Sequence, residues 1–171
     1  MGLFSDLFGS RKVPLEAIPG RLAQLASVGV HKFARESEHA EMRDQLTAAF
    51  ESLPGYSSAD WDAEFLAMHF GAQQVAVGSR TALKPHFQSI AGGTIMHYFQ
   101  SVPSEVASRQ TRLIAERGPH YVQLASAIAG GRDAAALRFR DLDPFQSIAL
   151  FQVLMELVIM YGDMLKDWGY Q

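Results

Sequence analysis

Apolar residues recur along this chain at helical spacing, and alternating apolar and polar positions appear only in short, scattered runs. The pattern predicts helices and no sheet. After Pro19, Leu22, Leu25, Ala26, Gly29 and Phe33 share one face, while Met42, Leu46, Ala49, Phe50 and Leu53 share another. At 100° per residue the two faces lie about 130° apart, so the chain either breaks near residues 34–37 or turns a new side to the core there. Pro54-Gly55 ends this region.

The clearest rhythm follows. Trp61, Phe65, Met68, Ala72, Val75, Ala76 and Ser79 form one helical stripe. Ser57 or Ser58 is the expected cap, and Asp60, Asp62 and Glu64 suit the positive end of the helix. Two weaker helical pieces, 85–91 and 94–101, are expected on either side of Gly92-Gly93. Ser104 is expected to cap a polar helix ending at Gly118, and Pro119 to open an apolar one ending at Gly130. Asp143 and Pro144 mark the start of a last helix reaching about Trp168, apolar almost all round and therefore expected to be surrounded by others. Its one polar stripe runs Gln152, Glu156, Asp163, Asp167. The fold class that follows is all-α: a single-domain bundle of six to eight helices around an apolar C-terminal helix. That helix is expected to be packed by the 61–79 helix and by the one ending at Leu53.

Residues 1–12 read as an amphipathic segment ahead of one helical domain spanning residues 13–171. Leu3, Phe4, Leu7 and Phe8 form two i,i+4 pairs, four large apolar groups on one side of two turns. They call for a cover: the protein's own body, a partner or a membrane surface. Gly9-Ser10 would let the segment swing away.

Composition narrows the classes. The chain has 171 residues, 48% hydrophobic and 19% charged, a size and make-up that support a core without staples. With no cysteine, disulfides, thiolate metal sites and thiol nucleophiles are excluded, and a reducing, cytoplasmic setting is expected. The longest apolar stretch, Ile148 to Tyr161, is 14 residues and contains Gln152 and Glu156, so no integral membrane segment is expected. The net charge of −3 argues against nucleic acid as a partner. That charge is unevenly placed: six arginines between 109 and 140 against Glu116 and Asp133 give +4 there and leave −7 elsewhere. Arg109, Arg112, Arg132, Arg138 and Arg140 form a candidate patch for an anionic partner, arginine being suited to bidentate contacts.

Candidate chemistry is sparse. Glu156 lies inside the most apolar helix, and His69 and His97 sit among apolar neighbours, so these three are the candidate ligand set. Glu36-Ser37-Glu38-His39 holds one E-x-x-H step, but di-iron bundles need two with further glutamates. Asp60-Trp61-Asp62 resembles the opening of a calcium loop, yet Phe65 and Gly71 stand where glycine and glutamate are required. Leu83–Ser89 is superficially similar to part of a globin F helix, but Ile90 stands where the iron-bound histidine belongs, which rejects that family. No nucleophile elbow, zinc-helix, phosphate-loop or dinucleotide motif is present. No catalytic residue, cofactor or metal is therefore expected. The leading expectation is a non-catalytic interaction module such as an adaptor, inhibitor or neutralising partner. The alternatives are a helical ligand- or metal-binding protein, or an enzyme, using Glu156 with His69 or His97, and a peripheral membrane protein held by Leu3, Phe4, Leu7 and Phe8.

Overall fold

The computed structural model describes residues 12–131 and 144–171, except Pro54 and the side chains of Glu38 and residues 144–147. Among the described residues there are six α-helices and no strand: α1 Ile18–Arg35, α2 Ala40–Glu51, α3 Trp61–Ser79, α4 Phe87–Phe99, α5 Ser104–Ala129 and α6 Pro144–Asp167. The protein is an all-α helical bundle. A continuous cluster of buried side chains, from Val13 to Tyr170, draws on every helix.

The apolar spacing sets the elements. The two faces at 22–33 and 42–53 belong to two helices: α1 ends at Arg35, and Glu36 is extended (ψ 130°). Two expected breaks are absent. The helix α4 runs through Gly92-Gly93, because Gly93 lies where α4 meets α1: a β-carbon there would come within 3.0 Å of the Pro19 side chain. The helix α5 runs through Gly118-Pro119. Proline removes one hydrogen bond to the carbonyl four residues back, that of Ala115. Ala115, Glu116, Pro119 and His120 are all exposed, so water can take that carbonyl. The inner side of the same turn is held by packing: a β-carbon on Gly71 of α3 would lie 2.9 Å from the Tyr121 β-carbon and 3.1 Å from its backbone carbon. That close approach keeps α5 continuous.

The helix at the middle is α3. It packs on each of the other five α-helices, most extensively on α5 and α6. Every residue from Ala63 to Gln73 is buried. The last helix does pack on α3 and α2 as its spacing predicts, and on α5 as well. It is not enclosed, however. Leu150, Leu154, Tyr161 and Leu165 enter the core with no exposed surface, while Ile148 and Ile159 are each 55% exposed. Its outer polar line, Gln152, Glu156 and Asp163, stays in solvent and keeps that side uncovered. Beyond its end, the Val13 amide donates to the Trp168 carbonyl (3.1 Å), and the Tyr170 hydroxyl donates to the Val13 carbonyl (2.7 Å), tying the first described residues to the foot of α6.

Candidate functional site

Two groups of polar side chains lie inside the bundle. The first joins α3 to α5. Asp60 and Glu64, one helical turn apart, meet Arg109 and Arg117 from α5. Arg117 donates through Nη1 to Glu64 Oε1 and through Nη2 to the Gly55 carbonyl at 3.3 Å, and the Tyr121 hydroxyl donates to Glu64 Oε2 at 3.4 Å. Glu64 and Arg117 are 0% and 3% exposed, which makes theirs a buried pair with large desolvation costs on both sides. Arg109 Nη2 lies 2.6 Å from Asp60 Oδ1 but off the line of an N–H, so this contact is an ion pair rather than an aligned hydrogen bond. The guanidinium remains half exposed. Nearby, burial pushes the Tyr56 phenol above its usual range, helped by Glu51, Glu64 and Asp60 and opposed by Arg117. Each carboxylate is already engaged by an arginine, so the cluster holds two helices together and offers no spare base.

The sequence places a signal there. Glu64 falls on the apolar side of α3 with Ala67, Met68 and Gly71, and Arg117 continues the stripe Leu113, Tyr121, Leu124 of α5. Reading the acids as helix-start charges, and Arg117 as the end of a helix stopping at Gly118, hides the pair. The expected Ser57 or Ser58 cap is replaced by a short 3-10 turn, Ser58–Asp60, whose last side chain turns to Arg109 instead of capping.

The second group is His69, Tyr161 and Gln73, between α1, α3 and α6. His69 Nδ1 lies 2.7 Å from the Tyr161 hydroxyl. Burial alone pushes the imidazole down to about 3, so it is neutral, and burial raises the Tyr161 phenol, so it keeps its proton. The Gln73 amide donates to the Leu22 carbonyl at 2.9 Å. The direction of the bond between His69 and Tyr161 follows the imidazole tautomer, and Nε2, on the other edge of the ring, has no hydrogen-bond partner among the described residues. That edge faces Gly29 of α1, where a β-carbon would sit 2.5 Å from Cε1 and 2.9 Å from Nε2. The ring fills the gap between helices.

The other candidate residues lie elsewhere. Glu156 is exposed on α6. His97 is exposed on α4, beside an open polar groove of about 290 Å³ between α1 and α4 that Gln24, Ser27 and Ser101 also line. The structure does not gather Glu156, His69 and His97 into a site, and no cluster of three His, Asp or Glu suited to a metal is found among the described residues. Arg109 and Arg112 are exposed along α5, the first paired with Asp60, whereas Arg132, Arg138 and Arg140 lie outside the described residues. Leu3, Phe4, Leu7 and Phe8 also lie outside them. Glu36 and His39, the E-x-x-H pair, are a partly exposed pair at 3.7 Å.

One surface stands out. Ile148, Met155 and Ile159 share a stripe of α6 by helical spacing and are 55%, 37% and 55% exposed. Phe151 and Val158 edge the stripe and are partly buried. Gln152, Glu156 and Asp163 run along its other side as an acidic rail, with exposed Met160 beyond. By length and composition Ile148–Asp167, 20 residues, is apolar enough to cross a membrane, a test that core helices of soluble proteins also pass. Comparison of the chain with protein-family models, with curated proteins and with solved structures finds no match.

Proposed function

We propose that this protein is a helical interaction module that works through the outer face of α6. The observation that carries the reading is the stripe Ile148, Met155 and Ile159, exposed on a helix whose opposite side is locked into the core. Exposed large apolar groups in a row, edged by charge, are the usual mark of a docking surface. The two buried polar groups support the reading in another way. Their ion pairs and hydrogen bonds tie α1, α3, α5 and α6 together, which gives a rigid platform on which a surface can be displayed.

The acidic rail favours a partner that brings an apolar helix with a basic edge. A photo-crosslinking residue placed at Ile159 tests this directly, with Gln123, exposed on α5, as the control position. The expected result is one defined crosslinked product from position 159 in cells, none from 123, and loss of the product in Met155→Glu. Crosslinking from 159 no stronger than from 123 would sink the reading.

A further inference from the structure

We propose that the seam between α3 and α4 is a binding slot for a small, flat aromatic molecule that donates one hydrogen bond, received by Gln73 Oε1. The slot is separate from α6, so it stands or falls independently of the docking surface there.

The residues of the seam explain why it is open. Large rings space the two helices at two levels. Phe70 of α3 meets Tyr98 of α4 edge to face with centroids 5.8 Å apart, and a β-carbon on Gly78 of α3 would lie 3.7 Å from the Phe87 ring of α4. The helices therefore run antiparallel. Between those levels α4 offers Ala91 and Thr94, and Thr94 turns its hydroxyl back to the Ile90 carbonyl at 2.7 Å. Gly93 meanwhile draws α4 against Pro19 of α1, and α4 packs more extensively on α1 than on α3. The small side chains do not fill the middle of the seam. About 260 Å³ there is free of atoms, part of it open to solvent, with Phe70, Phe87 and Ile90 among its walls.

Shape and chemistry select the ligand. The space is thin: the centre of a water molecule can occupy only about 10 Å³ of it. A flat ring suits such a slot better than a branched aliphatic group, and entry asks α4 to yield slightly on its less packed side. The walls are mostly apolar, and an apolar cavity of about 150 Å³ suffices to take up benzene. None of the described lining residues is charged, which disfavours an ionic ligand. One lining group is unmet. Gln73 is 3% exposed, and its Nε2 donates to the Leu22 carbonyl at 2.9 Å, which fixes the end of the amide that carries the oxygen. That oxygen is buried and has no hydrogen-bond partner among the described residues. A buried acceptor is costly to leave unmet, so the slot favours a ring that brings a donor.

Indole and indene provide the test, being nearly the same shape while only indole carries an N–H donor. Each is titrated into the full chain, and binding is read from backbone amide shifts. Saturable shifts are expected around Gln73, Ala91 and Thr94, with indole bound on the order of fivefold tighter than indene, the worth of one net hydrogen bond. In Gln73→Met that preference should vanish while indene binds as before. Ala91→Phe, which fills the slot from its partly exposed rim, should remove both ligands. The comparison of the two probes in the parent chain decides the matter even if either variant fails to fold. Equal affinities there overturn the proposal. So does binding that survives in folded Ala91→Phe, or shifts confined to Ile148, Met155 and Ile159, which would place the probes on the exposed stripe. Absence of any shift in the slot at millimolar indole also overturns it and leaves the unmet oxygen to a single water.

Discussion

The helices α3 and α6 are both apolar over most of their length, yet one is enclosed and the other is half open. Every residue of α3 from Ala63 to Gln73 is buried, including a carboxylate, an imidazole and an amide. In α6 a full side remains in solvent. Mean apolarity does not separate them. What differs is whether their polar residues are answered. In α3, Glu64 meets Arg117 and Tyr121, and His69 meets Tyr161. Small residues at Ala63, Ala67, Gly71, Ala72 and Ala76 let neighbouring helices approach closely enough to supply those partners. In α6 the polar line Gln152, Glu156, Asp163 faces water, and the apolar residues beside it share that exposure. An enclosed helix can keep a charge only where a partner reaches it.

The comparison breaks most visibly at the buried pair. Glu64→Leu leaves the Arg117 guanidinium inside the bundle uncompensated, and is expected to cost about 3–5 kcal/mol in urea unfolding. Adding Arg117→Met should recover most of that loss, because two apolar groups need no partner. Glu156→Leu, the same change on α6, should cost nothing measurable. A loss below about 1 kcal/mol for Glu64→Leu would mean that the pair is not what holds α3 in place.

Next in size is a test within α6. Leu154 has no exposed surface, and Leu154→Ala should cost about 3 kcal/mol by transfer and cavity terms. The cost belongs to the inner side of the helix alone. A change in the midpoint without a change in the denaturant slope would confirm that the bundle still unfolds as one unit.

The His69 imidazole gives a smaller, pH-dependent signal. Its ordinary value of 6.5 falls to about 3 in the folded protein. Above pH 6.5 neither the folded nor the unfolded chain binds a proton there, and the contribution is constant. Below pH 6.5 the unfolded chain takes up a proton that the folded chain refuses. Stability then falls by about 1.4 kcal/mol per pH unit from this residue, about 2 kcal/mol by pH 5, until folded His69 itself protonates near pH 3. His69→Gln can still hydrogen-bond to Tyr161 and does not titrate, so its stability should vary less between pH 6.5 and 5 than that of the parent. Equal slopes in the parent and His69→Gln would show that the imidazole is not buried as placed.

The all-α class, the change of face near Glu36 and the stripe of α3 were legible in residue spacing, because a buried face repeats every 3.6 residues. What spacing hid were decisions made between helices. Gly118-Pro119 reads as a stop, yet α5 continues because Gly71 lets Tyr121 seat against α3. Glu64 reads as a helix-start acid because its partner lies 53 residues away, at what reads as the end of another helix. The outward side of α6 was hidden in a different way. Gln152, Glu156 and Asp163 announce a solvent-facing line, but nothing local says that Ile148, Met155 and Ile159 share it. Which apolar positions are covered depends on how many helices the chain has left to cover them.

The smallest effect falls on that uncovered side. Ile159→Gln removes an exposed apolar group and creates no cavity, so global stability should change by less than about 0.5 kcal/mol, against about 3 kcal/mol for Leu154→Ala five residues earlier. The unfolding midpoint should stay where it is in the parent chain. If Ile159→Gln lowers the midpoint as much as Leu154→Ala does, both sides of α6 belong to the core, and the contrast with α3 disappears.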